Sequence, residues 1–402
     1  MTTEPKIYSN FDEMGLSDNL LRGIYAEGYE TPSKPQKIGI VPAIQGKDLL
    51  LQSQSGTGKT VTFATVALQL IESKRSKPKF NNTFVLILSP NRELANQTYS
   101  VIESLSKYIK NVSIHKTIGG YQNMAEDSSS LRKNPHIVIG TMGRIKHQIE
   151  LQNLNTKNIE LVIIDEADEM LRTQTRDESF KDQIYYIYTN FINLDCQTIL
   201  VSATYTQDVI ETSEKIIRKD NSLKILSEIE EVSLNGIKQY YIDCGDDSVK
   251  NCVLTDLYRT ISATQSVIFV NTRSKAEYLK TFMAKENWVV SIIHRDLDQS
   301  ERDKVVLDFK SGKSRILIAT DIFCRGIDVQ RVSVVINYEL SDNIENYIHR
   351  IGRSGRYGRK GTSINLVSPG KETQILKRIE DHYQREIEYL PSSFEGLINH
   401  YD

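Results

Sequence analysis

Ser53-Gln54-Ser55-Gly56-Thr57-Gly58-Lys59-Thr60 lies between an apolar run, Leu49-Leu50-Leu51, and a stretch of helical character from Val61 to Ile71. Strand, glycine-rich turn ending in Gly-Lys-Thr, helix: that order makes a phosphate cradle. The glycines let backbone N–H groups turn toward an anion, and the helix N-terminus adds partial positive charge. In such a cradle Ser55, Gly56, Thr57 and Gly58 line the phosphates, Lys59 reaches the β- and γ-phosphates, and the Thr60 hydroxyl sits on Mg²⁺. The general pattern begins with Gly, where this chain has Ser53. A plain turn at a helix start is the competing reading, but Gly-Lys-Thr between an apolar strand and a helix is an unusual way to make one. The stretch points to a nucleoside triphosphate and says nothing of how its energy is used.

At roughly 100–200 residues per domain, 402 residues make two or three domains. With 39% apolar and 25% charged residues the composition is that of an ordinary globular protein. Formal net charge is −2, so no global basic field recruits nucleic acid; such binding must rest on local placement of Lys and Arg. Cys196, Cys244, Cys252 and Cys324 form no C-x-x-C pair, which argues against metal and disulfide frameworks and for free thiols in a reducing compartment. The polar start, Met1 to Lys6, with no long apolar run after it, predicts neither a signal peptide nor a membrane span.

Residues 1–10 read as a flexible arm. Asp18 to Tyr25 reads as a helix with Asp18 placed to cap it. Lys34 to Ile44 reads as another, with Pro35 near its start and Pro42 kinking its far end. After the phosphate loop, apolar runs recur at Phe84–Leu88, Ser113–Thr117, Ile137–Ile139, Leu161–Ile164 and Thr198–Val201. The pattern restarts at Ile237–Ile242, Ser266–Val270, Val289–Ile293, Ile316–Ala319, Val332–Ile336 and Thr362–Val367, with helical stretches such as Ser274–Glu286 and Ser300–Ser311 between them. Apolar runs alternating with helices predict an α/β fold whose mostly parallel sheets carry helices on both faces. Two such units are expected, at 11–226 and 236–402, joined by an acidic linker at 227–235. Ligands of such sheets bind at the carboxyl ends of the strands, and two units on one short linker would form a cleft.

Leu161-Val162-Ile163-Ile164-Asp165-Glu166-Ala167-Asp168 is the second strong signal. A buried strand ending in carboxylates sets acid beside the phosphate loop. Asp165 can hold hydrated Mg²⁺ and Glu166 can orient or activate the attacking water. Taken alone, an acidic loop after a core strand would be the better reading.

Asp-Glu-Ala-Asp after an apolar strand, downstream of Gly-Thr-Gly-Lys-Thr, resembles the DEAD-box RNA helicase family, and the resemblance runs from Phe11 to about Leu390. It implies two tandem RecA-like domains and an RNA-dependent ATPase with ATP and Mg²⁺ as cofactors. Gly28-Tyr29 with Gln36 looks like the adenine-reading element, with Tyr29 stacking on the base. Ser202-Ala203-Thr204, with Asp168 and His349, looks like the machinery that ties hydrolysis to strand separation. His349-Arg350-Ile351-Gly352-Arg353-Ser354-Gly355-Arg356 looks like the arginine-finger motif, with Arg353 and Arg356 completing the charge around the γ-phosphate, and Asp328 would face the ribose. By the same resemblance single-stranded RNA meets Pro90, Arg92, Gly119, Gly120, Thr141, Gly143 and Arg144 in the first unit. In the second unit it meets Asn271, Arg273, Thr320, Asp321 and Gly326. Arg and Thr suit phosphate oxygens and Gly suits close backbone approach; no base-reading constellation is visible, so binding is expected to be independent of sequence.

Within the family, Gly236-Ile237-Lys238-Gln239-Tyr240 and Glu345-Asn346-Tyr347-Ile348-His349-Arg350 are similar to the translation initiation factor 4A subfamily. With a short arm before Phe11 and only Pro391 to Asp402 at the far end, a minimal core without an added binding domain is expected. The resemblance implies a monomeric cytoplasmic initiation helicase that unwinds short duplexes, with a helical-repeat scaffold of the initiation factor 4G type as partner. The nucleolar ribosomal-RNA-processing helicase and the ATP-locked exon-junction clamp share these segments, which keeps a nuclear location open. The departures from the subfamily are Lys34-Pro35, Ser53, Asn91, Met142, Arg295 and Cys324. None removes a charged catalytic group. Met142 stands where the family has proline, giving up a φ-fixing ring in an RNA-facing loop, and a weaker RNA grip is the expectation.

Overall fold

The apolar runs become strands. The computed structural model describes residues 6–53, 56–75, 80–119, 124–172, 179–226, 236–260, 265–321, 332–354 and 361–390. The chain divides into two units, Met1–Ser227 and Glu228–Asp402. The first holds β1 (Asp48–Gln52), β2 (Val85–Ser89), β3 (Ile114–Thr117), β4 (Ile137–Thr141), β5 (Leu161–Asp165), β6 (Gln197–Ser202) and β7 (Ser222–Ile225). The second holds β8 (Ile237–Asp243), β9 (Gln265–Phe269), β10 (Val290–Ile293), β11 (Ile316–Ala319), β12 (Val332–Asn337), β13 (Gly361–Val367) and β14 (Glu388–Tyr389).

The two sheets run β3-β4-β2-β5-β6-β1-β7 and β10-β11-β9-β12-β13-β8-β14. Each label of the second is its counterpart in the first raised by seven, so the units share one topology. Every neighbouring pair is parallel, and all carboxyl ends of a sheet therefore lie along one edge.

Alternate side chains of a strand leave opposite faces, and both faces are covered. Val85, Ile87, Leu161 and Ile163 enter one core of the first unit, while Leu86, Leu88, Val162 and Ile164 enter the other. In the second unit Ile268, Ile318, Val334 and Ile336 face one core, and Val267, Phe269, Leu317 and Val335 the other. This double cover explains why the central strands are apolar throughout rather than alternating.

Helix starts carry local caps. Asn91, Ser179, Thr272 and Asp298 each accept a backbone N–H of the helix that follows. The helix Asp18–Ala26 is capped by Ser17 and not, as expected, by Asp18: Ser17 has the extended backbone of a cap and its Oγ accepts from Leu20 N–H, whereas Asp18 is already helical. Pro35 sits near the start of the helix Lys34–Ile44, and Pro42 falls in its last turn. Two strands had no sequence signal, β7 and β14. Both are short and at a sheet edge. The expected linker 227–235 lies outside the described residues. Among the described residues no helix is long and apolar enough to cross a membrane.

Candidate functional site

The phosphate-loop segment carries the chain from β1 into the helix Lys59–Lys74. Gly56 and Gly58 have φ of +80° and +90°, a region that costs a residue bearing a Cβ about 1–2 kcal/mol. At Gly58 a Cβ would also stand 2.5 Å from Gln36 Nε2. The nearly buried Lys59 ammonium donates to the Ser53 carbonyl at 2.6 Å. Ser53 Oγ and Thr57 Oγ1 share a hydrogen bond of 2.6 Å, and Ser53 N–H donates to the Ser202 carbonyl at 3.0 Å. Thr60 is half-buried in the first turn of the helix. Ser55 lies outside the described residues.

Tyr29 packs half-buried against the first core. The buried Gln36 carboxamide accepts from Ser33 N–H at 2.7 Å and donates to the Gly58 carbonyl at 3.2 Å. Those two bonds use half of the amide's capacity and tie the expected adenine reader directly to the phosphate loop.

β5 ends on Asp165, only 3% exposed. Asp165 Oδ1 accepts from Glu166 N–H at 3.0 Å, while Asp165 Oδ2 and Glu166 Oε2 are buried with no hydrogen-bond partner among the described residues. Burial, then the neighbouring Glu166 charge, push the Asp165 pKa up to about 7, against the pull of Lys59. Glu166 is held at φ +50°, ψ +56°, a left-handed conformation that costs of order 1 kcal/mol and persists where surrounding structure dictates it. Unpartnered buried carboxylate oxygens near a hydroxyl-bearing helix start fit a small, hard divalent cation, which takes oxygen ligands. Thr204 Oγ1 donates to Asp168 Oδ2 at 2.8 Å, and Thr204 N–H donates to Ser202 Oγ at 3.3 Å. Since β6 lies between β1 and β5, the Ser-Ala-Thr turn bridges the phosphate loop and the acidic strand end.

The expected RNA residues of this unit occupy the other half of the same edge. Pro90 and Arg92 follow β2, Gly119 follows β3, and Thr141, Gly143 and Arg144 end or follow β4. Asn91 accepts from Leu94 N–H at 2.9 Å and caps the helix Arg92–Leu105. Arg92 lies against Gly119, where a Cβ would come within 3.2 Å of its guanidinium. Arg144 Nε donates to Asp127 Oδ2 at 2.8 Å. Asp127, fully buried, also takes hydrogen bonds of 2.8 Å from Thr117 Oγ1 and Gln148 Nε2 and shares one of 2.8 Å with His115 Nε2. Burial raises its pKa, but these bonds outweigh burial and hold it below the usual carboxylate value. Met142 corrects an expectation. It does not sit in an RNA-facing loop but opens the helix Met142–Glu150, with its side chain 1% exposed in the core. Gly120 lies outside the described residues.

In the second unit Asn271 and Arg273 follow β9, and Thr320 and Asp321 follow β11. A residue given no role by the sequence organises them. Arg350, fully buried, donates to Asn271 Oδ1 at 2.8 Å, to Asp321 Oδ1 at 2.5 Å and to the Glu339 carbonyl at 2.7 Å. Asp321 Oδ2 accepts from Asn346 Nδ2 at 2.9 Å. The exposed Arg273 pairs with Asp296 at 3.1 Å, and Thr320 is half-buried. His349 is buried on the helix Ile344–Ile351, and Arg353 Nε donates to its carbonyl at 3.1 Å. Gly326, Asp328 and Arg356 lie outside the described residues.

The shared topology sets a second lysine at the place that Lys59 holds in the first unit. Lys250 opens the helix after β8 as Lys59 opens the helix after β1. Its buried amine is neutralised by Glu372 at 2.5 Å and Asp247 at 3.1 Å, and Asp247 and Val249 stand where the first unit has Gly56 and Gly58.

A family model described as DEAD/DEAH box helicase matches residues 33–212, and one described as helicase conserved C-terminal domain matches residues 249–358. The chain is 46% identical over 398 residues to the ATP-dependent RNA helicase eIF4A of Scheffersomyces stipitis, covering 99% of this chain and 96% of that one. It is 45% identical over 392 residues to the ATP-dependent RNA helicase FAL1 of Kluyveromyces lactis, covering 98% and 95%. Among solved structures it is similar to S. cerevisiae Dbp5 bound to RNA and ADP BeF3, with a TM-score of 0.87, 33% identity and 96% of each chain covered. Identity of this order reaches from the arm through both sheets, and with it the phosphate loop, the acidic strand end and the Ser-Ala-Thr turn take their place: the chain belongs to the DEAD-box helicase family.

Proposed function

We propose that this chain hydrolyses ATP to drive closure of its two units over single-stranded RNA, and thereby opens short duplexes locally. The enzyme is an ATP-dependent RNA helicase of the eIF4A type. The observation that carries the reading is the division of one sheet edge. Residues suited to the nucleotide follow β1, β5 and β6, and residues suited to an RNA backbone follow β2, β3 and β4. Hydrolysis and RNA grip thus share one rigid sheet.

Tyr29 and Gln36 select adenine. Lys59, released from the Ser53 carbonyl, meets the β- and γ-phosphates. Asp165 and the Thr60 hydroxyl hold Mg²⁺, partly through water, which supplies charge neutralisation at the phosphate oxygens. Glu166 orients the attacking water. Arg353 and Arg356 come from the other unit to complete the positive charge around the transferring phosphoryl group, so that chemistry waits for closure. Asp168, Thr204 and Ser202 carry the change from the acidic strand end to the loop.

The 4A-named relatives support a place in translation initiation; a cytoplasmic monomer working with a helical-repeat scaffold of the initiation factor 4G type completes the proposal. The test is a pair of assays on the full chain. ATP turnover should rise with single-stranded RNA and not with DNA of the same sequence, and a short RNA duplex should be released with ATP. ATP-dependent RNA binding without strand release would overturn the helicase reading in favour of a clamp.

A further inference from the structure

We propose that Arg295 is a further RNA-binding residue of the second unit, one that holds a backbone phosphate beside Arg273. It is one of the chain's departures from the initiation factor 4A subfamily, which has a small residue there, so the contact is this chain's own. The inference rests on the reading of this sheet edge as an RNA surface.

The fold sets Arg295 on that edge. β10 pairs in parallel with β11, with its last residue, Ile293, opposite Ala319. Thr320 N–H then donates to the Ile293 carbonyl at 3.2 Å. His294, Arg295 and Asp296 therefore leave the carboxyl end of the sheet beside Thr320 and Asp321. Arg273, at the start of the helix after β9, reaches the same segment, where its guanidinium donates to Asp296 Oδ2 at 3.1 Å.

The Arg295 side chain is 85% exposed, and among the described residues its one ion pair is with Asp296, Nε to Oδ1 at 3.8 Å. That is beyond hydrogen-bond length, and Asp296 already holds Arg273. The next acid, Asp298, is turned to the helix Gln299–Lys310, accepting Glu301 N–H and Ser300 Oγ at 2.8 Å each. Two guanidiniums thus share one carboxylate, which leaves one positive charge in excess. An exposed pair of this length adds little to folding. A guanidinium whose donors are not spent on the described residues suits the paired oxygens of a phosphate. Contacts to phosphate fix the position of a strand without reading its bases. With a formal net charge of −2 the chain has no general attraction for RNA, so each locally placed cation counts.

The experiment separates the inference from the reading it rests on. Full-length wild type, Arg295→Gln and Arg295→Lys are titrated into two unrelated fluorescent single-stranded RNAs, with a non-hydrolysable ATP analogue and Mg²⁺, over a series of KCl concentrations. Wild type that binds neither RNA defeats the RNA reading of the edge itself. With binding established, Arg295→Gln should weaken both RNAs alike, about threefold at roughly 0.1 M salt, the scale of one exposed charge pair. The slope of log affinity against log salt should become shallower by about 0.7, the value for one phosphate contact on a single strand. Arg295→Lys keeps the charge and should keep the slope. In ATPase assays KM for RNA should rise about threefold with kcat kept within about twofold, because a lost phosphate contact is lost uniform binding. An unchanged slope in Arg295→Gln, a loss confined to one RNA, or an equally shallow slope in Arg295→Lys would overturn the proposal. Should Arg295→Gln fail to fold by circular dichroism, the same salt series on Arg295→Ala decides it: a shallower slope supports the contact and an unchanged one overturns it.

Discussion

Glu166 and Lys59 are the residues whose roles rest most directly on local geometry. Glu166 is held in a strained left-handed conformation with one carboxylate oxygen buried and unpartnered, and the fold keeps that strain at the end of the acidic strand. Replacing it by Gln preserves shape and removes the charge. ATP affinity should stay within about twofold while RNA-stimulated turnover falls at least about 10²-fold, the range for a positioned acid–base group. Wild-type turnover in Glu166→Gln would show the water-side role to be wrong. Lys59→Ala removes both the proposed phosphate ligand and the charge that holds down the Asp165 pKa. Turnover should drop by about 10² or more, with binding lost in a titration with fluorescent ADP. Asn91 and Met142 belong to this scale too. Each departs from the family pattern, yet Asn91 caps its helix and Met142 fills the core.

At the scale of elements, the β3 and β4 end of the first sheet, where RNA contacts are proposed, is held together by Asp127. Its four hydrogen bonds join β3, the helix Met124–Leu131 that bears it and the helix Met142–Glu150. Asp127→Ala leaves Arg144 and Gln148 without their buried acceptor and should cost about 3–5 kcal/mol of stability. The pH dependence follows from the lowered pKa. A carboxylate whose folded pKa lies below its unfolded value of 3.8 contributes stability that is complete above 3.8 and is lost as pH falls through the folded value. The difference in urea midpoint between wild type and Asp127→Asn should therefore be full at pH 5 to 7 and shrink below pH 4; a difference constant down to pH 2 would refute the linkage. Asp127 was legible only indirectly, as an acid four residues before Leu131 on the buried face of its helix. The central strands, by contrast, could be read from sequence within a residue or two, because a strand buried on both faces must be apolar along its length. β7 and β14 could not: an edge strand pairs through backbone atoms, which every residue has.

At the scale of the whole molecule the chain is one topology used twice, and the proposed chemistry draws on both copies. In the first unit Lys59 is held by a neutral backbone carbonyl, while the second has its corresponding lysine bound by the carboxylates of Glu372 and Asp247. Nucleotide affinity should therefore belong to the first unit and turnover to both. Arg356→Ala should leave ADP affinity within about twofold and lower kcat by about 10³, as for removal of an arginine finger. Equal losses in affinity and kcat would mean that Arg356 binds ground state and transition state alike.

Sequence alone determined the class of chemistry and the kind of fold. Gly-Thr-Gly-Lys-Thr after a strand, Asp-Glu-Ala-Asp after another, and apolar runs alternating with helices are local patterns. Each is written in residues adjacent along the chain, because a loop that cradles phosphate or a strand buried on both faces is specified within a few positions. Tertiary structure decided what depends on residues far apart. That β6 lies between β1 and β5, so that Ser202 meets Ser53 and Thr204 meets Asp168, follows from strand order and not from any run of sequence. That Arg350 holds Asn271 and Asp321, and that Lys250 is silenced by Glu372, follows from burial: a charge removed from water must find its partner wherever the fold supplies one.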